Sequence, residues 1–135
     1  MQVLDLRSVP IVKRDMDLVR ELLLKIEDNP QMDGTREFYY AKPEEMGIEG
    51  HSREEVAYHL MLLIEEGYID GAVTMAHPMQ VIRRLTNSGH DFLGSISDPG
   101  IWEKTKERLS GLPSVALPVV AQVALAEFKK HLHLT

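Results

Sequence analysis

Cysteine is absent from the 135-residue chain. That excludes disulfide staples, thiol chemistry and cysteine-ligated zinc. Long apolar runs are also missing, and no stretch is long or apolar enough to span a bilayer. The opening Met1-Gln2-Val3-Leu4-Asp5-Leu6 has no basic region followed by an apolar block, so it does not read as a secretory signal. A soluble, cytoplasmic protein with no membrane partner is the expectation. Positive charge is in deficit too: the formal net charge is −6. This disfavours a general binder of nucleic acid or anionic lipid, although a local basic patch survives such a balance. No internal repeat, low-complexity tract, nucleophile elbow or phosphate-cradling glycine loop is present.

What remains is an ordinary soluble composition, 44% hydrophobic and 27% charged. The length suits one domain, able to bury about two-thirds of the surface its unfolded chain exposes.

The chain is organised around residues 52–93. Ser52 lies three residues before Glu55, the spacing of a capping box, so a helix is predicted to start there. Gly67 supplies its stop, because glycine accepts the left-handed conformation after a helix end. Val56, Leu60, Leu63 and Ile64 form one apolar stripe, and Tyr58, Met61 and Leu62 add apolar surface elsewhere. A helix that is apolar nearly all round is packed on both sides. A sharper reading makes it a DNA-recognition helix. Charge opposes that reading: from Arg53 to Glu66 a single arginine stands against Glu54, Glu55, Glu65 and Glu66, whereas phosphate contact needs Lys and Arg.

Tyr68–Met75 and Met79–Leu85 are expected to pair as a hairpin with Ala76-His77-Pro78 at its tip. Thr86 then caps a helix that turns Phe92 and Leu93 inward. Upstream, Leu18, Val19, Leu22, Leu23 and Ile26 predict a buried helix starting near Asp15 or Asp17 and ended by Asp28-Asn29-Pro30. Arg36–Tyr40 reads as a strand, and Pro43–Gly47 as a turn or short helical turn. Support for a full second helix between Met32 and His51 is weak. Asp98-Pro99 opens a further helix with Ile101, Trp102, Thr105 and Leu109 inward, closed by Ser110-Gly111. A last helix starts at Ser114 or Pro118 and runs to about Leu132.

The fold class expected is therefore α+β and mostly helical: a winged-helix-like domain of helix, short strand, central helix and two-stranded wing, followed by additional C-terminal helices. The expected divisions are a 1–12 extension, a 13–97 core, and a 98–135 helical segment packing on the core or a partner.

Several stretches together carry a family resemblance. They are Lys13–Leu23, Glu54–Leu60, Leu62–Gly67, the run Leu85-Thr86-Asn87-Ser88-Gly89-His90-Asp91-Phe92-Leu93, and Trp102–Lys106. Over about Lys13 to Leu134 the chain resembles a family of short bacterial and prophage proteins of unknown function. The pattern of Leu85, Thr86, Gly89, Phe92 and Leu93 also recurs in winged-helix regulators. The resemblance implies a winged-helix-like, cytoplasmic, phage-associated protein and no particular activity. Met1–Val12 departs from the usual start of that family.

Candidate chemistry is sparse. His51, His59, His77 and His90 are scattered, and His131 and His133, two apart, point to different faces of a helix. They read as surface or boundary histidines, with no metal site and no cofactor. Ser88, His90 and Asp91 lie close in sequence but belong to a helix cap and first turn, so no catalytic residue and no enzyme is expected. The function class adopted is a DNA-associated transcriptional regulator, with a protein-protein interaction module as the alternative. In a DNA-associated transcriptional regulator, DNA would meet Arg83 and Arg84 on the wing strand, Arg53 at the helix start, and His77 and Gln80 near the tip. The bland reading of the arginine pair is a solvated strand edge. In a protein-protein interaction module the fold would be kept without a DNA surface. The last helix is apolar around most of its circumference. Val119, Val123 and Ala126 are expected to need cover, from Met1–Val12 or, more commonly, from a second copy in a homodimer.

Overall fold

The computed structural model describes residues 14–40, 43–74, 79–112 and 115–133. Helix α1 spans Met16–Asp28 and strand β1 Phe38–Tyr40. A single 3-10 turn, Pro43–Met46, precedes α2, Arg53–Glu65. Strands β2 (Ile69–Val73) and β3 (Gln80–Leu85) follow, then α3 (Asn87–Ile96), α4 (Pro99–Leu109) and α5 (Leu117–His131). The fold is α+β and mostly helical, with three antiparallel strands in the order β1-β3-β2.

The local chemistry explains the boundaries. Asp15 caps α1 through the Leu18 N–H, Ser52 and Glu55 form both halves of a capping box on α2, Thr86 caps α3 and Asp98 caps α4. Gly67 sits at φ +78° just past α2, a conformation glycine takes without a Cβ penalty. Between Met32 and His51 the 3-10 turn stands where a second full helix would be. That segment is held by side chains instead: Met32, Met46 and Ile48 are buried in the main core.

One core serves the described residues. Leu18, Leu22, Leu23 and Ile26 of α1 share it with Val56, Leu60 and Leu63 of α2, Ile82 of β3 and Phe92, Leu93 and Ile96 of α3. Trp102, Leu117, Val120 and Ala124 bring α4 and α5 into the same cluster. Polar ties reinforce the joint between α1 and the corner of α3 and α4. The Arg20 guanidinium donates to the carbonyls of Ile96 and Ser97, both at 2.8 Å, and the Trp102 indole N–H donates to Asp17 at 2.8 Å. The Arg20 bonds close the carbonyl end of α3 against α1, and the Trp102 bond ties α4 to α1.

Gly89 explains the spacing of the Leu-Thr-x-x-Gly run. A Cβ there would lie 2.0 Å from the Tyr68 carbonyl oxygen. The first turn of α3 can therefore reach the strand entry only with glycine at this position. The Thr86 N–H bonds to that same carbonyl at 3.1 Å.

Candidate functional site

The surface that a winged architecture would turn toward DNA is built from α2 and the β2–β3 hairpin. Its distinctive feature is a bulge. Asp70 pairs with Arg84 and Gly71 with Ile82, so Arg83 is the extra residue on β3. Simple alternation would send Arg83 and Arg84 to opposite faces. An inserted residue breaks the alternation, and both guanidiniums reach one carboxylate. Arg83 Nη1 is 3.4 Å from Asp70 Oδ1, and Arg84 Nε is 3.6 Å from Asp70 Oδ2. Two glycines permit this. A Cβ on Gly71 would meet the Val81 carbonyl oxygen at 2.2 Å. Gly34, at φ +96°, donates its N–H to the Arg83 carbonyl at 3.3 Å, and the Arg84 stem lies where its Cβ would be, at 3.1 Å.

The acidic groups extend outward from there. Arg83 Nη2 also donates to Glu37 Oε1 at 3.2 Å, and Glu37 accepts from the Tyr39 hydroxyl at 2.9 Å. The Tyr39 hydrogen bond and then the Arg83 contact hold the Glu37 carboxyl below its ordinary range, so it is ionised at neutral pH. Arg84 further donates to the Leu85 carbonyl at 2.9 Å.

The other residues expected at a DNA surface fare differently. Gln80 is buried, and its Oε1 accepts the Thr74 N–H at 2.8 Å; it closes the base of the hairpin tip. His77 lies outside the described residues. Arg53 is exposed at the start of α2 beside Glu54 and Glu55. Of the four that are described, Arg83 and Arg84 are brought together by contacts, and both face acids.

On α5 the expected contact residues line one flank. Val119 is 41% exposed, and Val123 and Ala126 are half-buried. Leu125, 44% exposed, lies on another face, separated from them by Gln122 and Lys129 in helical projection. Ala124 is fully buried and Ala121 packs against the core. Those two small residues let α5 approach its own domain, which leaves Ala126 as the small residue on the exposed flank. Glu127 is buried and bound by Arg108 at 3.2 Å and Lys130 at 3.7 Å.

The histidines correct one expectation. His59 is not a surface or boundary residue but fully buried. The Asp15 backbone N–H donates to its Nε2 at 2.7 Å, and Nδ1 lies 2.7 Å from the Glu55 carbonyl oxygen. A backbone N–H can only donate, so Nε2 carries the lone pair and Nδ1 the proton. Burial holds this imidazole below the ordinary histidine value, outweighing the opposite pull of the Glu55 carbonyl and of the Asp15 and Glu55 charges. The available sequence signal was its place two residues from each of Ala57 and Met61, inside a helix apolar on several faces. Among the described residues no group of three or more His, Asp or Glu could hold a metal ion, and no helix is long and apolar enough to cross a membrane.

A family profile described as "Hypothetical protein (DUF2513)" matches residues 13–115. An uncharacterized protein of Haemophilus influenzae is 31% identical over 116 residues, covering 84% of this chain and 92% of the relative. No solved structure matches the chain.

Proposed function

This chain belongs to the DUF2513 family of hypothetical proteins, and from its surface chemistry we propose that it is a non-enzymatic, winged-helix-like module that works through protein contacts. The winged-helix name rests on the element order from α1 to β3 and on the strand order β1-β3-β2. The observation that carries the interaction reading is the bulged hairpin. Its adjacent arginines face Asp70, and Arg83 also faces Glu37, so phosphate would have to displace carboxylates. The neighbouring α2 adds Glu54, Glu55 and Glu65. Counterion release from DNA needs uncompensated Lys and Arg. The proposed setting is the bacterial cytoplasm, in a host or prophage context.

The proposed partner is a second copy, meeting through the α5 flank of Val119, Val123 and Ala126. Two-fold dimers are the commonest soluble assembly. Val123→Glu places a charge at the centre of that contact and should yield monomers, because an unpaired buried charge is costly. Light scattering across a concentration series reads the outcome. Wild-type monomer at the highest concentration overturns self-association.

A second reading, a DNA-associated regulator, is supported by the same element order and by Arg53 and Arg84, both exposed. Fluorescence anisotropy with random duplex DNA separates the two. The interaction module gives no binding at low salt. A regulator gives binding that weakens with salt, and Arg83→Ala with Arg84→Ala would lower the salt slope by about one for each lost phosphate contact.

A further inference from the structure

His59 is a buried titratable group that the interaction surface does not use. It joins two distant parts of the chain: Nε2 receives the N–H of Asp15, the cap residue of α1, while Nδ1–H is given to the backbone of α2 at Glu55. The Tyr58 ring stands edge-on to it at 5.7 Å. Both ring nitrogens are occupied, and only the neutral Nδ1–H tautomer satisfies both bonds. We propose that His59 is a pH-sensitive clasp that closes the joint between the start of α1 and the body of α2 when neutral and opens it when protonated.

The chemistry of opening is a single proton uptake. A proton from solvent lands on Nε2 and consumes the lone pair that accepted the Asp15 N–H. Two donors then face each other where one bond of 2.7 Å stood. The Asp15 amide must move away, and it carries with it the side chain that caps Leu18.

The charges around the ring set the balance. From α1, the Asp15 carboxylate favours the cation; from α2 and its lead-in, Glu55 favours it and His51 opposes it. His51 is itself engaged by Glu55 at 2.9 Å. Several other charged groups on neighbouring elements are committed elsewhere. Asp17 holds Trp102 and Lys106, Arg20 holds the end of α3, and Asp70, Arg83 and Arg84 hold one another. Burial dominates and keeps the folded-state value below the ordinary 6.5. The sign follows from that ordering. The clasp contributes its full stability above the unfolded value and loses it as pH falls through that value toward the lower folded one.

The test uses the whole chain and nuclear magnetic resonance between about pH 7.5 and about pH 5, the span in which histidine charge changes. Imidazole nitrogen shifts report the tautomer and the titration of His59. Amide exchange protection at Asp15 and Leu18 reports the joint, and Val120 in α5 reports global opening. The expected result is an Nδ1–H tautomer at the upper pH. Protection at Asp15 and Leu18 should fall by about tenfold for each pH unit below the unfolded value, and it should be gone by the pH at which His59 is half-protonated, with Val120 still protected there. His59→Gln keeps an acceptor and cannot titrate, so its Asp15 protection should be flat with pH. The proposal is overturned if His59 becomes protonated while Asp15 keeps its protection. It is equally overturned if the ring stays neutral until Val120 itself opens, or if His59→Gln shows the same fall as wild type. Should His59→Gln fail to fold, the wild-type comparison of the three amides decides alone.

Discussion

Helix α2 is enclosed by α1 on one side and by β2 and β3 on another, while α5 rests mainly on α3 and α4. Both sequences are apolar over much of their circumference. In α2, Val56, Ala57, Leu60 and Leu63 are buried and Tyr58, Met61, Leu62 and Ile64 are half-buried. In α5, Leu117, Val120 and Ala124 are buried, yet Val119 and Leu125 stay largely exposed. The difference lies in what covers each helix, not in its own residues. A helix followed by a hairpin that folds back on it gains a second packing layer. On α5 the described residues leave Val119 and Leu125 without such a layer. The surplus apolar surface of α5 is therefore exposed among the described residues, unlike that of α2, and the proposed self-association rests on it.

The comparison is sharpest in the core. Leu60 is buried among the α1 residues Leu22 and Ile26 in one cluster. Leu60→Ala should lower stability by about 2–5 kcal/mol, as deletions of buried leucine do. Chemical denaturation followed by circular dichroism measures it, and an unchanged midpoint would break the claim that α2 is enclosed. Close behind comes Gly89→Ala, which would drive a methyl group into the Tyr68 carbonyl and should cost about 3 kcal/mol. Gly94→Ala, five residues on in the same helix, meets nothing within 4 Å. It should stabilise by about 0.5–1 kcal/mol through helix propensity. Equal effects from the two glycines would show that the approach of α3 to the strand entry is not as close as described.

The helix starts differ as well. Ser52 and Glu55 complete a capping box, whereas Ala116 at the head of α5 makes no side-chain cap bond. Ser52→Ala should cost about 1 kcal/mol, and Ala116→Ser should return a gain of about the same size, since capping hydroxyls satisfy an otherwise orphaned N–H. Thermal melts of the two variants should shift in opposite directions.

Much of this was readable from the residues because local chemistry dictated it. The caps at Ser52, Thr86 and Asp98, the stop at Gly67 and the apolar faces of α1 and α4 depend on neighbours within one or two turns. Three features did not. The partner of His59, the Asp15 N–H 44 residues away, is set by a tertiary approach that spacing within α2 does not show. The bulge that brings Arg83 and Arg84 to Asp70 is a register property of two strands, and it depends on Gly34 and Gly71 at close approaches set by tertiary packing. Gln80 reads as an exposed tip residue by type, yet its amide serves the Thr74 backbone inside the fold. In each case a polar side chain answers a backbone group brought near by the fold, a demand that sequence spacing does not express.

The smallest expected effect on stability is also the one that separates α5 most cleanly from α2. Val119 is 41% exposed, so Val119→Ser removes little buried surface within the chain. Substitutions at such positions stay within about 0.5 kcal/mol. If the flank of α5 is covered by a second copy, the same change should nevertheless weaken the dimer, because the valine loses contact area only in the assembly. Denaturation at low protein concentration should therefore be unchanged, while the concentration at which light scattering reports dimer should rise. Loss of stability at low concentration would mean that Val119 is already covered by its own chain. No change in either measurement would leave the flank solvated, with no second copy on it.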